Sequence, residues 1–247
     1  MHDFVARISF AAALLSLCLA GPATAGSPPL ALTECGGLLK GSSYILTGDL
    51  SCPGIAPLTF GSNVTLDLNG FTLSVPDGIA VNCLRKCTVN GPGRIEALGG
   101  VYTARRTVVS GVTLVGTPIL PNAVGIGIHA AKLFVENTTV ENFSIGITAT
   151  NASIASSSIT GNGESGMEVG FHPWSTPPEA PCGGGKLRLV DSVVTGNVIA
   201  PRDGECGGAN PCADIASCRR PRVDELSSCG TSLIYEGANT WSACDLD

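Results

Sequence analysis

The feature that most constrains this chain is a short motif that returns at a near-constant offset. Six segments place two aliphatic residues five or six positions apart around a small or turn-forming centre. They begin at Leu68, Val89, Val109, Val135, Ile154 and Leu189 and close at Leu73, Ile95, Leu114, Val140, Ile159 and Val194. From one opening aliphatic to the next the offsets are 21, 20, 26, 19 and 35 residues, so the longer two read as loop insertions. The centres carry Gly70, Gly91, Gly111, Asn137, Ser156 and Asp191, residues that favour a sharp turn. A second motif runs in phase, a Gly before an apolar residue: Gly78-Ile79, Gly100-Val101, Gly127-Ile128, Gly146-Ile147 and Gly166-Met167. Each unit therefore holds three short strands. A unit of this size cannot bury its own apolar face, so like units must stack. Stacking puts equivalent strands in parallel, about 4.8 Å apart. Leu68, Leu73, Val109, Leu114, Val135, Val140, Ile154 and Ile159 are expected to point inward as stacked columns.

Composition agrees. Aromatic residues make up 5% of the chain while Gly numbers 32, which disfavours a globule built on large rings and favours many short strands. The expected organisation is an export signal over 1–25, an N-terminal cap over 26–57, repeats over 58–199 with a loop insertion at 170–185, and a Cys-rich C-terminal cap over 200–247. Tyr44-Ile45-Leu46-Thr47 reads as a strand in the first cap, which would cover an edge otherwise open to aggregation. In the tail, disulfides are expected to stand in for an apolar core.

The export reading rests on an apolar run from Ile8 to Ala20 followed by Ala23-Thr24-Ala25. The run is too short for a membrane span. Its removal takes away one acid and one base, so the net charge stays at −6. No basic run is longer than Arg105-Arg106 or Arg219-Arg220, which argues against a nucleic-acid partner. Of 11 cysteines, Cys18 lies in the leader. The even remainder (Cys35, Cys52, Cys83, Cys87, Cys182, Cys206, Cys212, Cys218, Cys229 and Cys244) reads as five disulfides in an oxidising compartment. Cys35–Cys52, Cys83–Cys87 and Cys229–Cys244 are local pairs, but spacing alone leaves the connectivity open. No zinc-ligand spacing is matched, and neither metal nor cofactor is expected.

These repeats resemble the secreted right-handed parallel β-helix repeat proteins, whose fold is shared with pectate lyases. The resemblance covers about Leu58 to Asn197. It implies an all-β, three-sheet solenoid of about six to seven rungs with disulfide-rich caps. It also implies a tight corner between the second and third sheets where polar side chains can stack. Here that position reads Asn69, Asn90, Ser110, Glu136, Ala155 and Val190, a mixed ladder.

Alternate strand residues face outward. With the residue after each Gly facing inward, the outward ladder of the first sheet reads Ala80, Tyr102, His129, Thr148 and Glu168. Arg105, Lys132 and the 170–185 loop would border it. A calcium-dependent lyase needs several converging carboxylates and a proton-abstracting base. Only Glu168 on this ladder is acidic. The Asp pairs of a hydrolase are missing too, since Asp67, Asp77 and Asp191 fall in different sheets or loops. His129 would want an acid within hydrogen-bond reach, but Glu168 is two rungs away, roughly 9.6 Å. It reads as a solvent-facing histidine, so no catalytic residue is assigned. Tyr102 and Trp174 have faces suited to sugar rings. Sequons at Asn63, Asn137, Asn142 and Asn151 read as turn residues first. The expected function is a non-enzymatic, secreted glycan-binding or structural surface module, with polysaccharide as partner. The alternatives are a carbohydrate-active enzyme with an atypical site and an adhesin-like protein-binding module.

Overall fold

Strand-forming triplets separated by small-residue corners fold as the repeat demands. The computed structural model describes residues 27–36, 38–39, 43–55, 58–117, 125–163, 165–169, 186–195, 197, 215–216, 232–238 and 240–241. Among the described residues every regular element is a β-strand, and like strands pair in parallel from rung to rung. The result is a parallel β-helix with three stacked sheets. The first sheet stacks 79–83, 101–103, 126–130, 145–149 and Ser165–Val169. The second stacks Ser43–Leu46, Val64–Asp67, 87–90, 106–110, 132–136, 151–155 and Lys186–Val190. The third stacks 72–75, 94–97, 113–115, Thr139–Glu141, Ser158–Thr160 and Val193–Thr195.

The core is the set of inward columns. Val109, Val135, Ile154 and Leu189 face one another across successive rungs, as do Leu114, Val140, Ile159 and Val194. All are buried, and so are Leu68 and Leu73. Burying each such side chain stabilises the fold by roughly 1.5–3 kcal/mol before chain entropy is counted. Because like residues stack, one rung's core completes the next.

Two register expectations are corrected. Leu66, not Leu68, lies opposite Val89. Both leucines are buried, since Leu68 follows two residues after Leu66, just past the end of the same strand, and a two-residue slip keeps the same face inward. The outward ladder of the first sheet begins at Asn82, not Ala80: Asn82 pairs with Tyr102, and Ala80 is fully buried. A register shift between Val75 and Ile79 separates the Gly78 motif from its later counterparts.

The repeat also extends beyond its expected borders. Tyr44 and Ile45 pair with Leu66 and Asp67, and Leu30–Leu32 pairs with Tyr44, Ile45 and Leu46. At the other end Leu189 pairs with Tyr235, and Val194 with Trp241.

The corner between the second and third sheets is left-handed at five of the six turn residues of the repeat, the exception being Gly91, which precedes a cis peptide to Pro92. Gly70, Gly111, Asn137, Ser156 and Asp191 have φ of 86°, 70°, 49°, 47° and 46°, and Gly237 continues the series at 75°. The polar ladder stands just past this corner. Thr138, Ser157 and Ser192 are buried, and each hydroxyl donates to the carbonyl two residues back, of Glu136, Ala155 and Val190. Each also accepts an N–H from the preceding rung, of Val112, Thr138 and Ser157.

Cys35–Cys52 and Cys83–Cys87 are disulfide-bonded. Cys182, Cys206, Cys212, Cys218, Cys229 and Cys244 lie outside the described residues, as do the leader, Trp174 and its loop. No helix among the described residues is long and apolar enough to cross a membrane.

Candidate functional site

The first-sheet ladder forms with the expected neighbours. Tyr102 lies opposite His129, His129 opposite Thr148, and Thr148 opposite Glu168. The Tyr102 and His129 rings stack, with centroids 5.5 Å apart and planes 28° from parallel. In the strand register Glu168 stands two rungs from His129.

Exposure contradicts the solvent-facing reading of this ladder. His129 is 7% exposed and Thr148 6%. Tyr102 is partly buried, and burial pushes its phenol up to about 12 against the opposing pull of a backbone hydrogen bond at Ile126. One face of the Tyr102 ring is occupied by His129 and its edge approaches Gly99, so it is not an open platform for a sugar. Among the described residues no group of three or more His, Cys, Asp or Glu is placed to hold a metal ion.

The accessible chemistry is one corner further along the chain, where the first sheet turns into the second. Arg105 and Lys132, expected to border the ladder, are both exposed there. Lys132 does not stand alone. It pairs with Arg106 on one side and Asn151 on the other, and Asn151 pairs with Lys186. Arg106 in turn follows Lys86, its N–H donating to the Arg85 carbonyl at 3.0 Å. Lys86, Arg106, Lys132 and Lys186 are all exposed, and together they make a column of cations along the solenoid axis. Neighbouring members are one rung apart, about 4.8 Å, except that Asn151 intervenes before Lys186. Of the eight described Lys and Arg residues, seven lie on this sheet or its leading corner; Arg94 is the exception.

Local structure holds the column in place. The Cys83–Cys87 disulfide closes the loop that carries Arg85 and Lys86. The Thr103 hydroxyl donates to the Arg85 carbonyl at 3.0 Å and accepts the Arg105 N–H at 3.4 Å, tying two successive corners together. The Arg106 guanidinium lies 4.8 Å from the centroid of the Phe134 ring, and the Lys132 ammonium 5.5 Å. Such cation–π contacts restrain long side chains that would otherwise be fully mobile. A groove of about 340 Å³ opens over the first part of the column, lined by Asn63, Thr65, Lys86, Thr88, Arg106 and Val108 among others.

The opposite edge of the same sheet is acidic. Asp67, Glu136 and Glu236 occupy its last outward positions. Glu236 is held below the usual carboxylate range, chiefly by hydrogen bonds from Arg188, whose own pKa is raised by the same contact. Both groups are open to solvent, so the pair contributes little to stability. Among the described residues it and Arg94–Glu96, at 2.6 Å, are the ion pairs, and no member of the cation column takes part in either.

Sequence reasoning passed over Lys86, Arg106 and Lys186, although a signal was present. Each stands three residues before the opening aliphatic of its unit, as Lys132 does before Val135. They were missed because a search for runs of adjacent charges ignores charges spaced by one repeat. Comparison with protein-family models, with curated proteins and with solved structures finds no match to this chain.

Proposed function

We propose that this chain is a secreted, non-enzymatic β-helix module, akin to proteins that share the pectate-lyase fold, and that it binds glycan on the outer face of its second sheet. The observation that carries the proposal is the contrast between the two faces. The first-sheet ladder is closed by burial at His129 and Thr148, whereas the second sheet offers an exposed groove and a regular series of polar and charged side chains. A face that repeats every rung suits a polymer whose own units repeat. Acid–base catalysis requires a titratable group within hydrogen-bond reach of substrate. His129 lies buried under a stacked ring, and Glu168 is two rungs away.

The test is glycan-array binding by the mature protein, paired with an assay for new reducing ends and for unsaturated product, with and without calcium. Retention of glycan without product is the expected result. Calcium-stimulated product that disappears in Glu168→Gln overturns the non-enzymatic assignment, and failure to retain any glycan overturns the binding assignment.

A further inference from the structure

Resting on that glycan-binding reading, we infer that the corner between the first and second sheets docks a single extended anionic polysaccharide. The chain lies along the solenoid axis across Lys86, Arg106, Lys132 and Lys186. Three observations converge on this.

The first is spacing. The cations are fixed to β-strands, so their separations follow the rung repeat, about 4.8 Å between neighbours and twice that across Asn151. That advance is comparable to one sugar unit of an extended chain, and a chain bearing one anionic group per unit meets a cation at successive steps. The second is charge economy. The chain carries 14 basic and 20 acidic residues, yet all of its described cations but Arg94 gather on this one sheet and corner. The four of the column are in no ion pair among the described residues, so they enter binding with their charge unspent on the protein. The third is shape. The groove over Lys86 and Arg106 runs beside Thr65 and Thr88, whose hydroxyls suit sugar hydroxyls, and beside Val108. Phe134 restrains Arg106 and Lys132, which lowers the entropy cost of fixing them on a ligand.

The acidic edge argues for a narrow occupant. Asp67 and Glu136 lie across the same sheet and would repel a broad polyanion such as duplex nucleic acid. A single carbohydrate chain can follow the cation column without crossing them. The anion is a carboxylate or a sulfate; both present oxygens that Lys and Arg recognise.

Binding is measured with the mature protein on polygalacturonate, dextran sulfate, uncharged dextran and single-stranded DNA, at low and at physiological salt. The variants are Arg106→Gln/Lys132→Gln and, as a control, Arg94→Gln on the third sheet. At least one anionic polysaccharide is expected to bind, to weaken with salt, and to lose on the order of tenfold in affinity in the double variant. Arg94→Gln should leave binding unchanged. The stronger of the two anionic probes identifies carboxylate or sulfate. If the double variant melts at a lower temperature, single Lys86→Gln and Lys132→Gln replacements at exposed positions substitute for it. Equal affinity for uncharged dextran, or indifference to the column variants, overturns this inference and leaves glycan binding standing. Tighter binding of DNA than of either polysaccharide also overturns it. Retention of no polysaccharide removes the underlying reading as well.

Discussion

At the scale of single residues, the buried polar groups decide most. Asn162 is fully buried, and its side chain makes four kinds of contact. Its amide donates to the carbonyls of Val140 and Thr160 and to the Asn197 side-chain oxygen, and its own oxygen accepts the Phe143 N–H. Asn197 repeats the arrangement one rung on, donating to Ile159 and Thr195. Asn162→Ala leaves several buried groups unpaired and should cost about 2–4 kcal/mol, read from urea unfolding. Thr107 is the opposite case: it faces the core, and its hydroxyl has no hydrogen-bond partner among the described residues. Thr107→Val should therefore raise stability by about 1 kcal/mol in the same assay. Tyr102 gives a pH signature. Its phenol moves from 10.0 to about 12 in the fold, so over that interval the unfolded chain gives up the proton while the folded one keeps it. The contribution is fully present below pH 10 and falls away as pH rises through 12, on the order of 2 kcal/mol in all. Tyr102→Phe should flatten that part of the stability profile. The Asn pair was legible in principle, as Thr160-Gly161-Asn162 and Thr195-Gly196-Asn197 repeat one tripeptide. The burial of His129 was not, because strand alternation assigns a face and says nothing of what covers it.

At the scale of the strand and corner, two backbone devices set the geometry. The left-handed corner accepts Asn, Ser, Asp or Gly but resists β-branched residues. Ser156 sits there at φ 47° and is exposed, so Ser156→Gly should be neutral or mildly stabilising, whereas Ser156→Val should cost about 1–3 kcal/mol in chemical denaturation. The second device is the glycine that opens the first-sheet strand. A Cβ on Gly100 would stand 2.2 Å from the Gly127 carbonyl oxygen, one on Gly127 2.5 Å from that of Gly146, and one on Gly146 2.5 Å from that of Gly166. Neighbouring backbones occupy the space a side chain needs, so Gly127→Ala should lower the melting temperature more than a cavity-forming change such as Val140→Ala. Circular dichroism melts of the two variants make the comparison. These elements were the most readable part of the chain, because the Gly–apolar pair and the turn residue recur at fixed offsets. The first unit was misaligned by two because Leu66 and Leu68 satisfy the same inward pattern.

At the scale of the whole molecule, stability is shared between neighbours. Each rung contacts only the rungs beside it, so a rung with two partners is held more firmly than a terminal one. Amide exchange should be slowest in 126–136 and 145–155, and fastest in Leu30–Leu32, which pairs on one side through Tyr44, Ile45 and Leu46. Uniform protection from end to end would contradict this. Solenoid architecture was legible because it follows from a period. The cation column was less so, because it is made by residues 20 or 26 positions apart that the winding brings side by side. The glycine column also constrains the way such a chain can change over generations. Because the carbonyl of one rung fills the place of its neighbour's missing side chain, a duplicated turn must bring its own glycine. Material added between turns carries no such obligation, and the offsets of 26 and 35 residues fall where that freedom exists. Descent with modification can therefore lengthen this molecule by whole turns, or embellish the connections, while a side chain placed on the glycine column meets the next rung's backbone.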